Sequence, residues 1–167
     1  MGNIYVQRKD YPKAIEYMEE AFILIEGSLF PEYKAVLGVN LANAFKESND
    51  LNKADSIYQF VLSQLNEKDD TYNYLNATKG LGEIQLLKNN FNDAVTYLEK
   101  AKVLSQNNNF MVNRDEIYYS LYLAYNKTDK PREALEALRN YTNLRDSIFT
   151  AEKDKNLAEA LQKFEAE

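Results

Sequence analysis

LGEIQLLKNNFNDAVTYLEKAK, residues 81–102, reads as two helices joined by a polar turn. In its second half, Phe91, Ala94, Leu98 and Ala101 recur at intervals of three and four, which places them on one face of a helix. Its first half carries Leu81, Gly82 and Gln85 at the start of another helical face. The Lys88-Asn89-Asn90 turn between them suits a hairpin. Asparagine tolerates left-handed backbone and can cap the helix that follows.

The same unit recurs every 40 residues. DYPKAIEYMEEAF, DLNKADSIYQFVL, NFNDAVTYLEKAK and KPREALEALRNYT align without gaps on Ala14, Ala54, Ala94 and Ala134. Three residues earlier stand Tyr11, Leu51, Phe91 and Pro131, and four residues later Met18, Tyr58, Leu98 and Leu138. Upstream, MGNIYVQ, LANAFKE, LGEIQLL and LYLAYNK align at the same interval, with RKD, SND, KNN and TDK as the intervening turns. Each unit is a helix–turn–helix hairpin that buries its apolar face only against its neighbours. The small residues at fixed places allow close helix approach and are packing positions.

Composition narrows the chemistry. The 167-residue chain is 45% hydrophobic and 28% charged, a folding composition, with only 5 glycines and 3 prolines to interrupt helices. Cysteine and histidine are absent. Disulfides, thiolate or Ser-His-Asp catalysis, and zinc sites built from the usual nitrogen and sulfur ligands are therefore excluded. A net charge of -6 opposes nucleic-acid binding, which needs a basic footprint. Asp69 and Asp70 are read as the start of a helix rather than a catalytic pair. No enzymatic constellation and no cofactor are expected.

The order of leucine, small residue and aromatic in the first helix, then aromatic, alanine, aromatic and alanine in the second, resembles the tetratricopeptide repeat. Gln85, Tyr122 and Tyr141 depart from that pattern. The resemblance implies an all-α, right-handed α-α superhelix of about four hairpins with a C-terminal capping helix. The hairpins are expected near 1–27, 30–67, 70–106 and 110–147, the first one truncated. Met1 aligns with the middle of a first helix, so the natural chain is expected to continue upstream.

After Leu144 the pattern changes. Asp146, Ser147 or Thr150 can cap a new helix over 148–167, covering the exposed end of the stack and beginning a connector. NLRDSIFTAEKDKNLAEALQKFEAE resembles the junction of Bacteroidetes-type signalling proteins through Asp146, Ser147, Ile148, Phe149, Glu152, Lys153, Leu157, Ala158, Glu159, Lys163, Phe164 and Glu165. In that family a tetratricopeptide sensor region leads to a membrane span and a histidine kinase or helix-turn-helix regulator. The resemblance implies a periplasmic sensor region of an inner-membrane protein, with a generic cytoplasmic scaffold or adaptor, or a peptide-responsive regulator, as the alternative. It also admits a homodimer through the C-terminal helix.

Stacks of this family present their first helices on a concave surface that takes a protein or peptide. By alignment, the inward-facing residues are Asn3, Val6 and Gln7; Val36, Val39, Asn40, Asn43, Lys46 and Glu47; Asn76, Lys79, Glu83 and Leu86; and Glu116, Tyr119, Leu123 and Asn126. Asparagine both donates and accepts, which suits reading a peptide backbone. Asn3 and Asn40 match two asparagines of the family's carboxylate clamp, but Asn76 and Gly80 stand where it needs cations. That specificity is not expected.

Overall fold

The computed structural model describes residues 2–25 and 31–165, with side chains for 2–25 and 33–156. Eight helices and no strand form among the described residues: α1 (Gly2–Gln7), α2 (Tyr11–Leu24), α3 (Pro31–Glu47), α4 (Leu51–Gln64), α5 (Thr71–Leu87), α6 (Phe91–Asn107), α7 (Arg114–Lys127) and α8 (Pro131–Glu165). Consecutive helices pair into four stacked hairpins.

The turns repeat in detail. Lys9, Asn49, Asn89 and Asp129 all adopt positive φ, 40 residues apart, at 58°, 67°, 62° and 55°. At each, the next N–H donates five residues back, to Tyr5, Phe45, Gln85 and Tyr125 carbonyls, which closes the first helix. Three of the four are Asn or Asp, the side chains that tolerate this conformation best after glycine. Asp10 and Asp50 then cap the second helix, their carboxylates accepting from the Lys13 and Lys53 amides at 3.4 and 3.2 Å. Asp70, half of the acidic pair, caps α5 by accepting from the Asn73 amide at 3.1 Å.

The aligned alanines are the tightest points of the core: Ala14, Ala54 and Ala94 are wholly buried and Ala134 is 3% exposed. Two clusters run through the stack. One joins Met18, Phe45, Tyr58, Val61, Leu81 and Ile84. The other joins Leu75, Leu98, Leu104, Ile117, Leu121 and Tyr125. Gln85, the departure from the aromatic pattern, is buried because Asn90 donates to its Oε1 at 2.8 Å. Its amide is thus paired inside the protein instead of lost to an apolar wall.

Helix approach is closest where side chains vanish. A Cβ on Gly80 would lie 2.3 Å from Cζ of the fully buried Tyr58, across the interface between the second and third hairpins. Gly80→Ala is expected to destabilise by about 1–3 kcal/mol through overpacking, despite alanine's better helix propensity. A thermal melt of that variant at or above the wild-type midpoint would contradict this packing.

The C-terminal region differs from the expectation of a new helix. No helix starts at Asp146, Ser147 or Thr150; Pro131–Glu165 is one 35-residue helix. Nothing between breaks it, since the stretch has no Pro or Gly after its first residue, and the Thr150 hydroxyl donates to the Asp146 carbonyl at 2.9 Å as a mid-helix threonine does. The end of the stack is covered by the first half of α8, through Ala134, Ala137, Leu138 and Tyr141. From Arg145 to Asn156 every side chain is exposed, including Phe149 at 69%. Leu157, Leu161 and Phe164 lie outside the residues whose side chains are described.

Candidate partner-binding groove

From the second hairpin on, the first helices touch one another: α3 packs on α5 and α5 on α7. The second helices stand farther apart, with no comparable contact between α4 and α6 or between α6 and α8. A stack closer on one side than the other curves, and α3, α5 and α7 lie on its inner side.

The aligned inner residues separate into distinct groups. Asn3 and Asn40 come together, with Leu37, Tyr17 and Met18, around a recess of about 260 Å³. Gln7, Glu47 and Asn126 are exposed and Asn76 is half-buried. Val36 and Leu123 are exposed at 42% and 39%. Val6 and Leu86 are half-buried and pack against the two core clusters. Val39 does not belong to the surface. It is 6% exposed and sits in the first cluster, because the neighbouring hairpin covers that side of α3. Asn43 is committed as well, accepting from the Tyr58 hydroxyl at 2.5 Å.

The charged members form a ladder. The Lys46 ammonium on α3 binds Glu83 on α5, Glu83 pairs with Lys79 at 3.6 Å, and Lys79 binds Glu116 on α7. Reduced by the 40-residue period, these positions become 46, 43, 39 and 36 of a single helix. Each step is about one turn, so the ladder crosses three hairpins on a diagonal. Lys79 is only 8% exposed. Burial disfavours its charge, yet Glu83 and the hydrogen bond to Glu116 outweigh it and hold the ammonium above its usual range. Tyr58 lies beneath. Burial first, then the field of Glu83 and Glu47, pushes its phenol far above the ordinary tyrosine range.

At the α7 end, Lys46, Glu83, Asp115, Glu116, Tyr119, Ser120, Tyr141 and Arg145 surround an open recess of about 460 Å³. Asp115, Ser120, Tyr141 and Arg145 are not among the residues that alignment places there. The sequence signal was Tyr141, which replaces an alanine of the repeat: its ring lies 5.1 Å from that of Tyr119. Arg145 reaches Asp115 at 3.6 Å because α8, antiparallel to α7, passes the start of α7 at that point. No cluster of carboxylates among the described residues could hold a metal ion. No helix among them is long and apolar enough to cross a membrane.

The tetratricopeptide repeat family profile matches residues 1–22. BtubC (BKLC) from P. vanneervenii superposes with a TM-score of 0.76 over 88% of this chain and 61% of that one, at 18% identity. The fold is a tetratricopeptide-type solenoid. Two crystal structures of a Podosopora anserina putative kinesin light chain with nearly identical TPR-like repeats, the first of them a point variant, give TM-scores of 0.72 and 0.71. Each is 18% identical, over 87% of this chain and 72% of that one. These likenesses concern the fold alone, and the chain spans less than two thirds of BtubC. No curated protein matches the sequence.

Proposed function

We propose that this solenoid is a non-catalytic binding region that takes a protein segment or peptide along α1, α3, α5 and α7. The observation that carries the reading is the inner face itself. Asn3 and Asn40 converge on one recess, and Tyr119 lines the other beside the charge ladder. Amide groups able to donate and accept at one place along the face, and an exposed ring farther along it, are what an extended backbone and one anchoring side chain require. The test is selection of random displayed peptides on the purified chain. Selected peptides are expected to lose about tenfold or more in affinity on the double change Asn3→Ala with Asn40→Ala. Asn52→Ala and Asn92→Ala on the second helices are expected to leave binding unchanged. The reverse pattern would place the site on the outer face.

The setting we propose is the sensor region of a bacterial histidine kinase or related regulator, with α8 as its connector. Support comes from the junction-like sequence at 146–165 and from the form of α8. At 1.5 Å per residue, its 35 residues run about 52 Å, against about 21 Å for the 14 of α7. A helix segment without packing is marginal by itself in water. Amides beyond Arg145 are therefore expected to exchange much faster than those of α5. Binding of a selected peptide is expected to slow that exchange. Unchanged exchange would leave a passive adaptor.

A further inference from the structure

We infer that the recess between α7 and α8 is an anchor slot for an aromatic side chain of an extended peptide, whose backbone is held by the Ser120 hydroxyl. This rests on the inner face being the binding surface and names what its α7 end selects.

Three observations converge there. Tyr119 is 44% exposed within the recess, 5.1 Å from Tyr141 at 42° and 6.1 Å from Tyr122 at 37°. A further ring laid against Tyr119 extends this cluster by offset or edge contact.

The charges around it are already matched. Lys46, Glu83 and Glu116 belong to the ladder, and Asp115 faces Arg145 at 3.6 Å. A charged ligand group gains little here, because the exposed Glu116 and Arg145 side chains are already paired and are screened by water. An uncharged ring draws instead on the tyrosine cluster, so the slot favours a ring over a charged side chain.

Ser120 supplies the polar contact. Several other hydroxyls turn back to a carbonyl three or four residues earlier, as those of Ser48, Ser63, Thr78 and Thr128 do. Ser120 is 8% exposed and lines the recess, and its hydroxyl has no hydrogen-bond partner among the described residues. Its oxygen is not sealed off from the recess, since no buried side-chain oxygen or nitrogen among the described residues is without a partner. A hydroxyl donates and accepts, so it can take either a carbonyl or an N–H of a bound backbone.

The test uses short capped Gly-Ser peptides with a single central Phe, Lys or Glu, titrated against the whole chain by calorimetry or NMR. The Phe peptide is expected to bind about tenfold more tightly than either charged one, the scale of one good ring contact. Its affinity is expected to change less than about twofold between low salt and about 0.5 M salt, since no charge pair forms. Tyr119→Ser is expected to weaken it about tenfold and Ser120→Ala about threefold, both read on protein that still melts cooperatively, since losing the Tyr119 ring also removes its contacts to Tyr122 and Tyr141. No binding of the Phe peptide, equal binding of the charged ones, steep salt dependence, or indifference to Tyr119→Ser would each overturn the slot. A library-selected peptide that depends on Asn3 and Asn40 but not on Tyr119 would overturn the slot and leave the inner face as the binding surface.

Discussion

Replacing Tyr58 with alanine is expected to destabilise the protein by about 3–5 kcal/mol, the range for removing a large buried aromatic side chain. The ring is wholly buried and fills the space that Gly80 leaves between α4 and α5. For a chain of this size that amounts to a fall of roughly 6–20 °C in melting temperature. Tyr58→Phe separates ring from hydroxyl. It removes only the bond to Asn43, whose half-buried amide can turn to water, and is expected to cost about 1 kcal/mol. A small effect of alanine would mean that the second and third hairpins do not share a continuous core.

The same residue gives the stability curve its alkaline edge. The folded state raises the pKa of Tyr58 by burial, and that of Tyr125 by burial and by Glu99, which accepts from its hydroxyl. Below about pH 10 a tyrosine is protonated in both states and its contribution is complete. Above that, the unfolded chain releases the proton while the folded one holds it, so stability falls as pH rises. Lys79, also raised, acts in the same direction above about pH 10.5. Stability is expected to decline above about pH 10, and Tyr58→Phe to flatten the slope by up to about 1.4 kcal/mol per pH unit. Denaturant titrations at stepped pH read this directly, and equal slopes for the two proteins would remove Tyr58 from the account.

Lys79→Met is expected to cost about 2–3 kcal/mol, because it leaves Glu116 without its cation and Glu83 with Lys46 alone. That lies below the usual loss for breaking a buried pair, since the Glu116 side chain is 55% exposed and water can take over part of the lost partner. Methionine keeps the stem's packing, so the loss reports charge. Adding Glu116→Gln to Lys79→Met is expected to recover part of it. If Lys79→Met melts like the wild type, the ladder is solvated surface charge without structural weight.

The 40-residue spacing of Ala14, Ala54, Ala94 and Ala134 contains the hairpins, their turns and their core positions, because helix periodicity and turn chemistry are local. Asn49, Asn89 and Asp129 stand where the backbone turns left-handed for the same reason. The side of α3 that receives Val39, by contrast, depends on how far the next hairpin slides over it. The helix over Asp146–Thr150 also escaped a local reading, since capping residues are tolerated inside a helix that nothing interrupts.

The sequence by itself therefore determined the repeat, the hairpins and which small residues sit between helices, all of which follow from contacts a few residues apart. Only the tertiary structure decided that Lys46 meets Glu83 and Lys79 meets Glu116, each across 37 residues. It alone brought Tyr141 and Arg145 of α8 beside Tyr119 and Asp115 of α7. Those meetings are set by the stagger and curvature of whole hairpins, which are fixed by the sum of their packing and not written in any single helix.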